Sequence, residues 1–153
     1  MGFAADTRFW AGRTAQELSL KQAEQVQPEG IQVVRVWESE ASKATEDDEG
    51  AYVQAHCVCS ALEAPLIALK YADAKGTEYE LQLTPDTLVV TDKAAVPVGD
   101  LKPKQVLKAA HDVQSAFTVV STNRLPDAQT YTLHLQGETP TAWLDLQHLV
   151  IQN

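Results

Sequence analysis

Thr77 to Leu83 reads TEYELQL, polar and apolar residues in turn. A period of two sends Tyr79, Leu81 and Leu83 to one face of an extended chain and the glutamates to the other, the mark of a strand with one side buried. Just upstream, Ala74-Lys75-Gly76 has turn composition, and before it Leu66 to Tyr71 reads LIALKY. Strand, glycine-containing turn and strand make a hairpin.

The same signal recurs outward from this hairpin. Ile31 to Trp37 reads IQVVRVW and Ala51 to Cys59 reads AYVQAHCVC. Leu88-Val89-Val90, Phe117 to Val120, Tyr131 to Leu135 and Trp143 to Ile151 are further short runs rich in β-branched and aromatic residues. Gln136-Gly137-Glu138 marks a second turn. Thr14 to Val26 and Pro103 to His111 are read as short helical turns, neither with a long amphipathic stripe. The expected fold is mainly β, of many short strands, in a single domain over residues 1–153.

The net charge of −9, with 12 Lys and Arg, argues against a phosphate-binding face for nucleic acid and against docking on anionic lipid. No apolar run reaches the roughly 20 residues that a membrane-spanning helix needs, and no basic-then-apolar leader is read at the start. Met1-Gly2 has the form of a myristoylation start, but Asp6 stands where that motif takes Ser or Thr. Cys57 and Cys59, the two cysteines, share one face of a strand; with His56 they fall short of a zinc site and read as structural thiols. Glu46-Asp47-Asp48-Glu49-Gly50 lacks the spaced oxygen ligands of a calcium loop and reads as a solvated charge run. Trp10, Trp37 and Trp143 read as strand-packing residues. Neither a cofactor nor a metal is expected.

Glu17-Leu18-Ser19-Leu20-Lys21-Gln22 resembles Asp100-Leu101-Lys102-Pro103-Lys104-Gln105, each following a short apolar run and a turn. This echo at half-chain spacing points to duplication of one β unit, with chance similarity of six residues as the alternative.

Several stretches together resemble the Hint domain, the self-processing fold of hedgehog proteins and inteins. Phe3-Ala4-Ala5-Asp6-Thr7 is similar to the segment that follows the nucleophile in bacterial intein-like domains. Leu83-Thr84-Pro85-Asp86-Thr87-Leu88-Val89-Val90-Thr91-Asp92 resembles the block built on Thr-x-x-His, and Val96-Pro97-Val98-Gly99-Asp100-Leu101-Lys102-Pro103 the segment after it. Thr130-Tyr131-Thr132-Leu133 and Leu149 to Asn153 resemble the last two blocks. Residues 38 to 76 carry no such motif. The resemblance implies a compact horseshoe of pseudo-two-fold β halves with adjacent termini, single-turnover self-processing, a flanking host polypeptide as the partner, and a monomer.

The chemistry it implies has two ends. A Cys or Ser at the first junction attacks the preceding carbonyl. Thr and His of the Thr-x-x-His block polarise that amide and protonate its nitrogen. An Asn at the second junction cyclises to a succinimide and breaks the bond after it, assisted by the His before it. Bringing both junctions together supplies the proximity.

This chain departs from that pattern at four positions. Gly2 stands at the nucleophile position and has no side chain to attack with. Thr87 replaces His, Thr132 replaces Asp, and Gln152 replaces the penultimate His. Thr84 and Asn153 remain. The N-terminal reaction is expected to be dead, with Asn153 cleavage the part able to survive. Gly2 fits an engineered replacement of Cys; Thr87, Thr132 and Gln152 fit natural divergence or a subtype with displaced catalytic groups. Of the remaining histidines, His148 is the first substitute to test because it lies five residues before Asn153; His134 and His111 are read as strand or surface residues. A Hint-like β domain kept as a binding or scaffold unit is the other reading, and an unrelated small β-rich binding domain a third.

Overall fold

The structure, a computed structural model, describes residues 2–11, 16–19, 31–37, 51–109, 116–135, 143–146 and 149–152. Eleven strands run through them: β1 (Arg8–Ala11), β2 (Gln16–Ser19), β3 (Ile31–Trp37), β4 (Ala51–Ala72), β5 (Glu78–Leu83), β6 (Leu88–Val90), β7 (Ala95–Pro97), β8 (Val106–Lys108), β9 (Ala116–Leu135), β10 (Trp143–Leu146) and β11 (Leu149–Gln152). A 3-10 turn at Val98–Asp100 is the one helical element among the described residues. The expectation of a mainly β chain is met.

β1 and β2 form a separate two-stranded sheet. The other nine strands make one sheet in the order β7-β6-β11-β10-β3-β4-β9-β8, with β5 paired to β4. Its spine is the antiparallel ribbon of β4 and β9, the two longest strands. The register shifts between Cys59 and Glu63, between Ala64 and Leu66, and between Lys70 and Tyr71. Such bulges bend a strand and increase its twist, which lets one ribbon serve both parts of the sheet. Isolated bridges from Thr91 to Leu107 and from Ala109 to Leu149 tie the β8 region back to the β6 and β11 regions.

The hairpin read from the sequence is present. β4 and β5 pair from Ile67 with Leu83 to Ala72 with Glu78. The turn between them is held by Asp73, whose Oδ1 accepts the N–H groups of Lys75 and Thr77 at 2.9 Å each. Gly76 takes φ +85°, a conformation that favours glycine. Leu81 and Leu83 are buried as the alternation requires, with Tyr79 half-buried beside them.

The main core joins Phe3 to Leu69, Tyr71, Leu83, Val89, Val98, Leu107, Val119 and Ile151, among others. Tyr71 stacks on Tyr79 with ring centres 5.7 Å apart, and Phe117 meets both edge-on at 5.4 and 5.9 Å. These offset and edge geometries add to what burial alone gives. Cys59, half-buried against this core, carries a free thiol. Trp37 and Trp143 are register partners across β3 and β10.

Two sequence readings are corrected. In Thr14 to Val26, residues Gln16–Ser19 are a strand, paired with β1 from Arg8 against Ser19 to Ala11 against Gln16. In Pro103 to His111, a turn closed by Gln105 N–H to Lys102 O at 3.2 Å leads into strand β8. Both are short and owe their conformation to a partner strand, which local propensity does not report. The echo also divides: Glu17, Leu18 and Ser19 lie on a strand, whereas Asp100 closes the 3-10 turn and Lys102 to Gln105 form a loop turn. Over the described residues of the first hexamer, Glu17 to Ser19, the two units do not hold equivalent conformations. The Glu46 to Gly50 run, the Gln136 to Glu138 turn and His111 lie outside the described residues.

Candidate functional site

The site is built on the turn Thr84-Pro85-Asp86-Thr87, between β5 and β6. Pro85 presets φ for the second residue of a turn, and Thr87 N–H closes it on Thr84 O at 3.0 Å. The segment after β7 clamps it. Val98 N–H donates to Thr87 O at 2.9 Å and Gly99 N–H to Pro85 O at 3.1 Å. Val98 and Leu101, both buried, root the clamp in the core. The structural task of the Val96 to Pro103 segment is thus to fix the Thr84 turn.

Onto this turn comes the start of the chain. Phe3, fully buried, bridges Tyr131 of β9 on one side and Leu83 of β5 on the other. Phe3 N–H donates to Tyr131 O at 2.9 Å, and Tyr131 N–H returns a bond to Phe3 O at 2.8 Å. Ala4 N–H donates to Gln82 O at 3.0 Å, and Thr84 N–H to Gly2 O at 2.8 Å. This ladder presses Gly2 against the turn, where its own N–H donates to Thr87 Oγ1 at 3.3 Å. Thr87 Oγ1 lies 2.9 Å from Thr84 Oγ1, and both threonines are buried.

The turn ends at the surface. Asp86 is exposed, and a hydrogen bond from the Thr84 side chain holds its carboxyl below the ordinary aspartate range, against a partial burial that pushes it up. The carboxylate is therefore ionised at neutral pH.

Gly2 leaves no room for a side chain. A β-carbon there would stand 2.9 Å from Thr84 Cγ2 and 3.3 Å from Thr130 Cβ and Oγ1. Contacts under 3.0 Å force something to move, and Thr84, β-branched and hydrogen-bonded, is stiff at χ1.

The other end of the chain reaches the same turn through the sheet. β11 pairs antiparallel with β6, Ile151 opposite Val89 and Gln152 opposite Leu88. Leu88 is the residue after Thr87, so Gln152 and the Gly2 acceptor are held by one backbone segment. Gln152 is half-buried. Asn153 and His148 lie outside the described residues. Thr132 shares a face of β9 with Thr130, one step further along, and its hydroxyl is 3.2 Å from Nε2 of the exposed His134.

The structure thus gathers Gly2, Thr84 and Thr87 in direct contact, brings Gln152 to the adjacent register position, and engages Thr132 with His134. The sequence reading missed Thr130 and Asp86. Thr130 signals its role only through the pairing of β9 with Phe3, which is non-local. Asp86 was legible as an acid in a Thr-Pro-Asp-Thr turn. Among the described residues no group of three or more metal-ligating side chains is found.

No protein-family model matches this chain, and no curated protein does. Solved structures do match, over nearly the whole of this chain. A bacterial intein-like domain from Clostridium thermocellum superposes with a TM-score of 0.69 at 14% identity, covering 99% of this chain and 98% of that one. The DnaB intein from Synechocystis sp. PCC 6803 gives 0.70 at 10% identity, covering 99% and 96%. The DnaX mini intein from Spirulina platensis gives 0.64 at 15%, covering both chains completely. The chain has the fold of inteins and intein-like domains, as the sequence resemblance implied.

Proposed function

We propose that this chain is an intein-type self-processing module whose N-terminal step is disabled and whose remaining chemistry is cleavage after Asn153. The observation that carries the reading is that Gly2 and Gln152 are held by adjacent residues, Thr87 and Leu88, of one segment. Thr87 receives Gly2 N–H, and the next residue, Leu88, pairs with Gln152. Holding Gly2 and Gln152 at neighbouring positions of one segment supports a two-ended reaction, since proximity supplies much of its rate.

The N-terminal step lacks its nucleophile because Gly2 has no side chain. It also lacks a proton donor suited to neutral pH, since a threonine hydroxyl does not exchange its proton as an imidazole does. At the other junction, the Asn153 side-chain nitrogen attacks its own carbonyl carbon, the bond to the next residue breaks, and the departing nitrogen takes up a proton. Gln152 can donate a hydrogen bond to that carbonyl but cannot protonate, so the reaction is slow. The natural partner is the flanking host polypeptide, and the reaction is intramolecular, needing no second copy.

Flanking peptides before Gly2 and after Asn153, followed by mass over time, test this. A released C-terminal flank that disappears in Asn153→Ala supports the reading; an unchanged precursor overturns it. One observation favours a second reading, a β domain kept for binding: the space that a nucleophile at position 2 would need is filled by Thr84 and Thr130. That reading predicts no cleavage even after Gln152→His.

A further inference from the structure

Two turns, Thr91 to Ala94 and Lys102 to Gln105, line a cleft of about 560 Å³. It opens at the end of β6 away from Leu88 and the Gly2 site. Each turn is braced by one of its own side chains. Thr91 Oγ1 accepts the N–H groups of Lys93 and Ala94 at 3.2 and 3.1 Å and donates to Ala94 O at 2.7 Å. Gln105 Oε1 accepts Lys102 N–H at 2.6 Å, and Asp92 N–H ties the first turn to Val106 O at 3.1 Å. The walls are therefore set before a ligand arrives, which lowers the cost of binding one.

The lining is basic in an acidic chain. Lys93, Lys102 and Lys104 are exposed there, Asp92 is the one acid among the lining residues, and the whole chain has a net charge of −9. Among the described residues no carboxylate pairs with any of the three lysines. Lys104 has φ +75°, the one positive φ outside glycine among the described residues. Glycine or asparagine takes this conformation at less cost, so the cleft holds a lysine against its backbone preference.

We propose that this cleft binds an acidic peptide segment carrying an apolar side chain, its carboxylates taken by Lys93 on one turn and by Lys102 and Lys104 on the other. Phosphate sites are built from free backbone N–H groups and arginine forks. Here the remaining N–H groups of the turns are also spent within the protein: Thr91 on Ala94 O, Lys104 on Val119 O and Gln105 on Lys102 O. No arginine is among the lining residues. What is left to recognise a ligand is separate ammonium groups on flexible stems, which match carboxylates spaced along a chain. Half-buried Val96 and exposed Val106 give the apolar side chain its contact.

The test is a titration of the full chain with the capped pentapeptide Glu-Asp-Leu-Glu-Asp, followed by the amide resonances in NMR. The shifts are expected on Asp92, Lys93, Lys104, Gln105 and Val106, and shrink with added salt. Lys93→Gln and Lys102→Gln each weaken binding about 1.5–5-fold, the worth of an exposed ion pair. Lys104→Gly does the same and keeps the fold, since glycine accepts φ +75°. Asp92→Asn, which removes the one lining acid, tightens binding by a similar factor, and serine in place of the peptide's leucine weakens it. Unmoved amides, shifts scattered over the surface, or shifts unchanged when all three lysines are replaced overturn the proposal. So does inorganic tripolyphosphate that moves the same amides at a lower concentration than the peptide, which would make the cleft a polyphosphate site.

Discussion

The methyl group of Thr84 stands 2.9 Å from where a β-carbon on Gly2 would lie. The site is therefore fitted to glycine, not emptied of cysteine. Gly2→Ala is expected to cost about 1–3 kcal/mol, the usual range for overpacking a well-filled site. Urea unfolding measures it. Thr84→Ser, which removes the methyl and keeps the hydroxyl, is expected to return most of that loss when combined with Gly2→Ala. It follows that Gly2→Cys alone will not rebuild a working nucleophile.

Thr87 supplies the acceptor for a buried backbone N–H. Thr87→Val keeps the shape and removes the oxygen, leaving Gly2 N–H without this partner. A loss of about 1–3 kcal/mol is expected, the cost of an unsatisfied buried donor. Thr87→Ser, which keeps the hydroxyl, should lie between the two in a denaturation series.

Phe3 anchors the junction in the core. Phe3→Ala is expected to destabilise the fold by about 3–5 kcal/mol, and the Gly2 amide should lose its protection from hydrogen exchange more than amides of the β4–β5 hairpin. Equal loss at both places would mean that the opening segment is no separate anchor.

Asp86 gives the stability a pH dependence of definite sign. Its carboxyl is lowered by the Thr84 hydrogen bond, with partial burial opposing. A lowered folded value means that the contribution is fully present above the ordinary aspartate pKa of about 4 and is lost as pH falls through the folded value. The stability gap between the unmodified protein and Asp86→Ala should be present at neutral pH and close in strong acid. Because the carboxylate is exposed, solvent screening keeps the gap below about 1 kcal/mol. Thermal unfolding across that range checks it.

The legible parts of this fold were those whose cause is local. The β4–β5 hairpin follows from a period of two and from Ala74-Lys75-Gly76 at its turn. The Thr84 and Val96 to Pro103 stretches were marked by their family resemblance, whereas the bonds from Val98 to Thr87 and from Gly99 to Pro85 that join them span 11 and 14 residues and carry no local signal. Strands β2 and β8 were read as helical turns because three or four residues carry little propensity, and pairing with β1 and β9 decides their state. Thr130 joined the site only through Phe3, a contact spanning most of the chain.

The account rests on a first junction that is held and a second that can still open. The most direct measurement is the mass of a precursor carrying a peptide before Gly2 and another after Asn153, followed over days at neutral pH. The account predicts slow release of the C-terminal peptide alone, faster with Gln152→His and absent with Asn153→Ala, while the N-terminal peptide stays attached. A precursor that remains whole even with Gln152→His, or one that sheds its N-terminal peptide first, would contradict it.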